Sequence, residues 1–358
     1  MCHGDGYKRT VVKDGDKFKF APAEGVDIVK VAQSAQEPTS VMCLRCHLGA
    51  GGGPNAKHGV SPTKDTDVHM AAGIQCVQCH TTEKHKLAGG ADLKAQDLPD
   101  VKVECSSCHT AAPHKGDAAV LNDHVDRIAC QTCHIPLIAR DPTLPTVTDR
   151  DWTKSVLSEK TGLYGPTNKM ANNVMPEYRW WNRHMTTPPA PVGSIDDPAA
   201  KIMAWKRANY TVIADKANNQ PIYIKAGVYN VTGDPLAAAK KGAADAGQQF
   251  SGEITGKLET MVFSLNHQVA PKEQALQCAD CHAAQGRLDF VALGYSPEKA
   301  ATLANLTVPQ AASATSAANA PKSLPTTGGE VGVALSLLGA LGSLLAAVGV
   351  GFAKRRKA

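Results

Sequence analysis

The most continuous apolar stretch of the chain lies at residues 331–352, where 22 mostly apolar positions follow one another. At a helical rise of about 1.5 Å per residue such a run spans about 33 Å, enough to cross a bilayer. The basic cluster Lys354, Arg355, Arg356 and Lys357 behind it would stay on the cytoplasmic side. Ahead of it, residues 308–323 are Ala, Ser, Thr, Pro and Asn, a linker composition with nothing to bury. Elsewhere the periodic signals are short. Ile222, Ile224 and Val228 alternate loosely and predict a strand or two over 221–231. The Ala-rich stretch from Pro235 to about Ala246 predicts a helix. Residues 141–262 hold all four tryptophans and most of the tyrosines, and should form a packing layer of their own. The N-terminal third is broken by Gly, Pro and Asp, as at 49–54 and 98–100, which predicts short helices joined by irregular loops. The expected fold class is therefore mainly α, with much irregular loop and few strands.

Composition changes this picture in one respect. Aromatic residues make up only 5% of the 358 residues, too few for a conventional core, whereas 11 cysteines and 13 histidines point to an interior filled by metal or cofactor. The net charge of +5 is concentrated in the C-terminal cluster and falls to +2 without the residues from 328 onward. No basic groove remains to argue for nucleic acid.

Ten cysteines fall into five copies of one pattern: Cys43-x-x-Cys46-His47, Cys76-x-x-Cys79-His80, Cys105-x-x-Cys108-His109, Cys130-x-x-Cys133-His134 and Cys278-x-x-Cys281-His282. Composition alone predicts about 0.01 such matches, so the repetition is not accidental. This is the c-type haem attachment motif. Positions i and i+3 of a helical turn face the same way, so both thiols reach the porphyrin vinyl groups, and the histidine at i+4 offers an imidazole nitrogen to the iron. Zinc held by paired CxxC motifs needs no histidine after the second cysteine, and a disulfide across three residues of a helix is strained. Cys2-His3 reads as the end of a sixth motif whose first cysteine lies upstream of Met1, together with the export signal that haem attachment requires. Four motifs within residues 43–134 leave about 23 residues per haem, so the haems themselves should fill the core.

Seven histidines lie outside the motifs. His58, His69, His85, His114, His124 and His267 are candidate distal ligands, and a near-match in number to six haems predicts mostly bis-histidine, low-spin irons. His184 is set apart in the haem-free stretch. The expected organisation is a haem-rich core over 1–140, a haem-free packing segment over 141–262, a last haem segment over 263–300, a linker over 301–323 and a terminal signal over 324–358.

That terminal signal, Leu324-Pro325-Thr326-Thr327-Gly328 before the apolar run and basic tail, resembles a Gram-positive cell-wall sorting signal of the LPxTG type. The resemblance implies that a sortase cleaves between Thr327 and Gly328 and joins the threonine to the wall. The protein would then stand outside the cytoplasm, held to the wall or membrane.

The haem-bearing part resembles the octahaem tetrathionate reductase family and related cytochromes of metal-respiring bacteria. The resemblance is carried by CLRCHLGAGGGPNAKHG at 43–59, DVHM at 67–70 before CVQCHTTEKH at 76–85, IACQTCHIP at 128–136, EYRWWN at 177–182, NHQVAPKEQALQCADCH at 266–282 and FVALGY at 290–295. It implies eight haems in a complete member, and hence further haem sites upstream. It also implies that Lys57, after the glycine-rich run, is the distal ligand of an active-site haem. A family aspartate just before that lysine is replaced here by Pro54 or Asn55.

Two functions follow as expectations. The first is an electron carrier passing electrons across or outside the cell envelope, with other cytochromes or a quinol-oxidising membrane protein as partners. The alternative is a reductase of tetrathionate, nitrite or hydroxylamine that works at the Lys57 haem.

Overall fold

The strand Lys201–Asp215 organises the molecule. In the computed structural model, which describes residues 3–14, 17–47, 54–89, 103–159, 162–186 and 190–306, this strand is the centre of a five-stranded mixed sheet. Ile254–Ser264 runs antiparallel along it, from Trp205 opposite Ser264 to Asp215 opposite Ile254. Glu177–Trp181 pairs antiparallel with its first residues, Lys201 to Ala204. On the other side Thr146–Ser158 pairs parallel through Asn209 to Thr211, and Leu163–Ala171 closes that edge.

The protein is not mainly α. Among the described residues, 28% are helical and 26% are in strands. The central strand was hidden from a period-two reading because it is buried almost throughout, with Ile202, Met203, Ala204, Trp205 and Lys206 consecutively inside. A strand covered on both faces reads as a continuous apolar run rather than an alternation. The strand expected over 221–231 also fails. Only an isolated bridge joins Pro221 to Ala214, and Ala226–Thr232 is a helix stopped by Gly233 at φ 67°.

The helix Pro235–Ala246 forms as expected. The Asp234 carboxylate caps it by accepting from the amides of Leu236 and Ala237, Pro235 opens the first turn, and Gly247 ends it in the left-handed conformation. Its alanines Ala238, Ala239 and Ala243 pack with Trp152, Ile213, Ile222 and Tyr229 against one end of the sheet.

The other end of the sheet carries the motif segments. Val60, Ile135, Ile138, Ala139, Ala204 and Leu265 form one buried cluster, which joins the loop after the first motif, the chain after the fourth and the central strand. Among the described residues no helix is long and apolar enough to cross a membrane. The expected span at 331–352 lies outside those residues.

Candidate functional site

Each complete motif forms a single tight turn. Cys76–Cys79 and Cys278–Cys281 are short helices with reciprocal caps, Gln75 with Gln78 and Gln277 with Asp280. Cys43, Cys46 and His47 lie in the helix Ser40–His47, and Cys130–His134 is a helix. Cys105–Ser107 is a 3-10 turn. The ten cysteines of these motifs are free thiols rather than disulfides. Among the described residues no three His, Cys, Asp or Glu side chains gather as a tetrahedral metal site requires. Cys2 lies outside the described residues.

The turns are fastened to the scaffold and to one another. Thr132 Oγ1 and the amide of Ala129 both donate to the carbonyl of Ile202, which docks the fourth motif on the central strand. The amide of Leu276 donates to Cys133 O at 3.0 Å, bringing the fifth motif alongside. Burial pushes the Cys133 thiol up to about 11 and the Cys281 thiol up to about 12, and the charge of Asp280 adds to both. The Cys105 and Cys130 thiols lie within electrostatic reach of one another. Cys79 feels the charge of Cys108, and Ser40 N donates to Gln75 Oε1 at 2.9 Å, which ties the first motif to the second. The five motifs thus stand side by side in the order in which the chain presents them.

The histidines form pairs. Ring centroids lie 5.9 Å apart for His3 and His85, 6.1 Å for His69 and His109, and 6.3 Å for His80 and His267. They lie 6.3 Å apart for His114 and His134 and 6.2 Å for His124 and His282. Each pair combines the histidine of one Cys-His motif with one from outside the motifs. Ring packing alone allows such distances but not this selectivity. An imidazole nitrogen binds a transition metal at about 2 Å with its ring centre about 1 Å behind, so two imidazoles on one metal put their centroids about 6 Å apart. The residues therefore fit haem iron held between paired histidines.

The second nitrogen of several rings is anchored. His3 Nδ1 donates to Gln36 O at 3.0 Å, His80 Nδ1 to Ala88 O at 2.9 Å and His282 Nδ1 to Leu303 O at 2.8 Å. Such contacts fix the ring plane and leave Nε2 free to bind a metal. Desolvation lowers the His267 pKa to about 4, with His80 and His58 adding.

His58 and His47 stand outside this pattern. His58 Nδ1 donates to Ser264 O at 2.9 Å, and its ring meets Phe263 edge-on. His47 lies within electrostatic reach of His80, but among the described residues no histidine ring faces it. Lys57 ends the short helix Pro54–Lys57, whose carbonyls are clamped from the sheet. Lys206 Nζ donates to Asn55 O at 2.7 Å and to Ala56 O at 3.0 Å. Tyr210 OH donates to Ala56 O at 2.9 Å and Thr146 Oγ1 to Asn55 O at 2.8 Å. Burial holds the Lys206 pKa well below the usual lysine value. His184 is exposed on a two-residue strand.

Sequence reasoning missed Lys206, Asp67 and Gln268. Lys206 carried no distinct signal, because Arg207 stands beside it and Lys201 opens the same strand. The Asp67 carboxylate sat in view two residues before His69. Nothing in the sequence marked Gln268, whose amide group joins His58 O to the amide of Ala139.

Paired Cys and His turns lined up on a sheet, each motif histidine but one facing a second imidazole, define a multihaem c-type cytochrome. The comparisons agree. A family model for bacterial cytochrome c matches residues 159–285, and one for the LPXTG cell wall anchor motif matches residues 316–358. The crystal structure of octahaem cytochrome c from Shewanella oneidensis is similar with a TM-score of 0.62 and 32% identity, over 83% of this chain and 75% of that one. An uncharacterised protein of Archaeoglobus fulgidus is 33% identical over 87 residues, 22% of this chain, so the chain spans only 29% of that relative's length. The chain belongs to the octahaem cytochrome c family and carries a cell-wall anchor that places it outside the cytoplasm, attached to the wall.

Proposed function

We propose that the protein is an electron relay on the outer face of the envelope, and the observation that carries this reading is the set of five imidazole pairs. His85 is opposite His3, His267 opposite His80, His69 opposite His109, His114 opposite His134 and His124 opposite His282. In this reading each imidazole pair would hold one haem iron, Cys76 and Cys79, Cys105 and Cys108, Cys130 and Cys133, and Cys278 and Cys281 would form the thioethers of four of these haems, and Cys43 and Cys46 those of a further haem at His47. Bound haem c contributes a one-electron Fe(III)/Fe(II) couple. The chain's part would be to keep the same two imidazoles on each iron in either oxidation state, so that little moves on reduction. Each second histidine comes from a stretch that flanks another motif, which locks neighbouring sites into one rigid row. The wall anchor would fix this row where electrons leave the cell, with sortase as the processing partner and other cytochromes or a quinol-oxidising membrane protein upstream.

A second reading is favoured at one position. His47 faces no second histidine among the described residues, and the Pro54–Lys57 turn is clamped by Lys206, Tyr210 and Thr146. A Lys57 amine opposite His47 would suit a haem that opens to tetrathionate, nitrite or hydroxylamine. Potentiometric titration with electron paramagnetic resonance of the full chain tests the two readings. The relay predicts low-spin bis-histidine signals for all haems but one and slow turnover of these substrates. Rapid turnover lost on Lys57→Ala would overturn it in favour of the reductase.

A further inference from the structure

Asp67 is a buried carboxylate, 5% exposed, and it touches the segments that carry two different facing histidines. It caps the helix Val68–Ala71, with Oδ1 accepting from the His69 amide at 2.9 Å and standing 3.2 Å from His69 Nδ1. Its Oδ2 accepts from the amides of Gln268 at 2.7 Å and Val269 at 3.0 Å, directly after His267. The Val68 amide returns a bond to Val269 O at 3.1 Å. Arg140 is the nearby cation, and its guanidinium donates to Thr66 O at 2.8 Å and to Gln268 O at 3.1 Å.

A histidine that binds a metal through Nε2 must carry its hydrogen on Nδ1, so the contact to Asp67 is a donation from His69 to an anion. The corresponding contacts of His3, His80 and His282 end on neutral carbonyl oxygens, and that of His114 on the side-chain oxygen of Asn122 at 3.1 Å. Hydrogen bonding to a carboxylate makes an imidazole a stronger electron donor than bonding to a carbonyl does. A stronger donor stabilises Fe(III) over Fe(II).

We infer that Asp67 is a positioning residue that makes the His69–His109 site the low-potential station of the row. The inference rests on the bis-histidine reading of that pair. The site belongs to the third motif, between the second, through Cys79 and Cys108, and the fourth, through Cys105 and Cys130. Electrons passing along the row must climb to it and descend from it. Because the same carboxylate holds the backbone after His267, the geometry of the adjacent His80 site is locked to it.

The test uses the full-length, haem-loaded protein. Asp67→Asn and Asp67→Ser both keep an oxygen suited to the helix cap while removing the charge. Each is expected to shift the reduction equilibrium of one low-spin haem at least tenfold toward Fe(II), about 59 mV for a one-electron couple, with the other haems within threefold of their original values. If neither variant moves any haem tenfold, the inference is overturned. His69→Ala separates this failure from failure of the ligand assignment. Loss of one bis-histidine signal in that variant supports the assignment, whereas unchanged signals would remove the basis of both. If neither Asp67 variant matures, near-infrared magnetic circular dichroism of the unaltered protein decides. One porphyrin-to-iron charge-transfer band at higher energy than the rest supports the inference, and a uniform set overturns it.

Discussion

His80 and His267 lie 187 residues apart in the chain, yet their rings stand 6.3 Å apart and tilted by 39°. His80 is held by its own motif turn and by donation to Ala88 O. His267 is held by what flanks it: the Ser264 end of the sheet before it, and the Gln268 and Val269 amides on Asp67 after it. The pair therefore reports whether the C-terminal return of the chain is correctly seated on the N-terminal motifs.

His267→Ala should remove one low-spin bis-histidine signal and create one high-spin centre, while the remaining haems keep their spectra. Electron paramagnetic resonance at low temperature checks this. Loss of several signals together would mean that the sites do not form independently.

Gly59 sits at φ 94°, and a Cβ there would meet Gln268 Nε2 at 2.1 Å and Ile138 Cγ2 at 2.7 Å. Gly59→Ala combines a backbone strain with a steric clash and should destabilise the protein by more than about 1 kcal/mol. Chemical denaturation followed by tryptophan fluorescence measures it. The perturbation should pass through Gln268 to the neighbouring His267, so the His80 site should change its spectrum before the protein unfolds.

Burial lowers the Lys206 pKa in the folded protein, with Arg150 adding to the effect. A base with a depressed folded pKa binds fewer protons folded than unfolded, so stability rises with pH between the folded value and the ordinary lysine value of 10.5. Lys206→Met should flatten that alkaline rise, and it should loosen the Asn55 and Ala56 carbonyls enough to alter the spectrum of the His47 haem. Denaturant midpoints measured across the alkaline range, with and without the substitution, check the sign. A rise that persists unchanged in the variant would assign it to another group.

Replacing Leu324 or Thr327 with Ala should move the protein from the wall fraction to the membrane fraction, because sortase recognition is lost while the apolar run at 331–352 is kept. Cell fractionation with haem staining reads the outcome. Unaltered wall attachment would refute cleavage at this motif.

The chemistry of this protein is local, and short stretches of the chain are enough to specify it. Two thiols and an imidazole at i, i+3 and i+4 need only one turn of backbone, so the five complete motifs could be read without a fold. The Leu324 to Gly328 signal is likewise a linear feature, and the Pro235–Ala246 helix is written in its cap, its alanines and its terminal glycine. The tertiary structure alone decided which imidazole faces which. The partner of His80 lies beside the last motif and that of His109 before the second, because the sheet brings Ser264 and Ile202 to the motif turns. The same long-range pairing explains the failed expectation of a mainly α fold. Burial on both faces erased the alternation that would have marked Lys201–Asp215, and its neighbours Thr146–Ser158 and Ile254–Ser264 become strands by pairing with it. That the Asp67 carboxylate beside His69 also seats the Gln268 and Val269 amides depends on contacts between segments far apart in sequence, which no local pattern records.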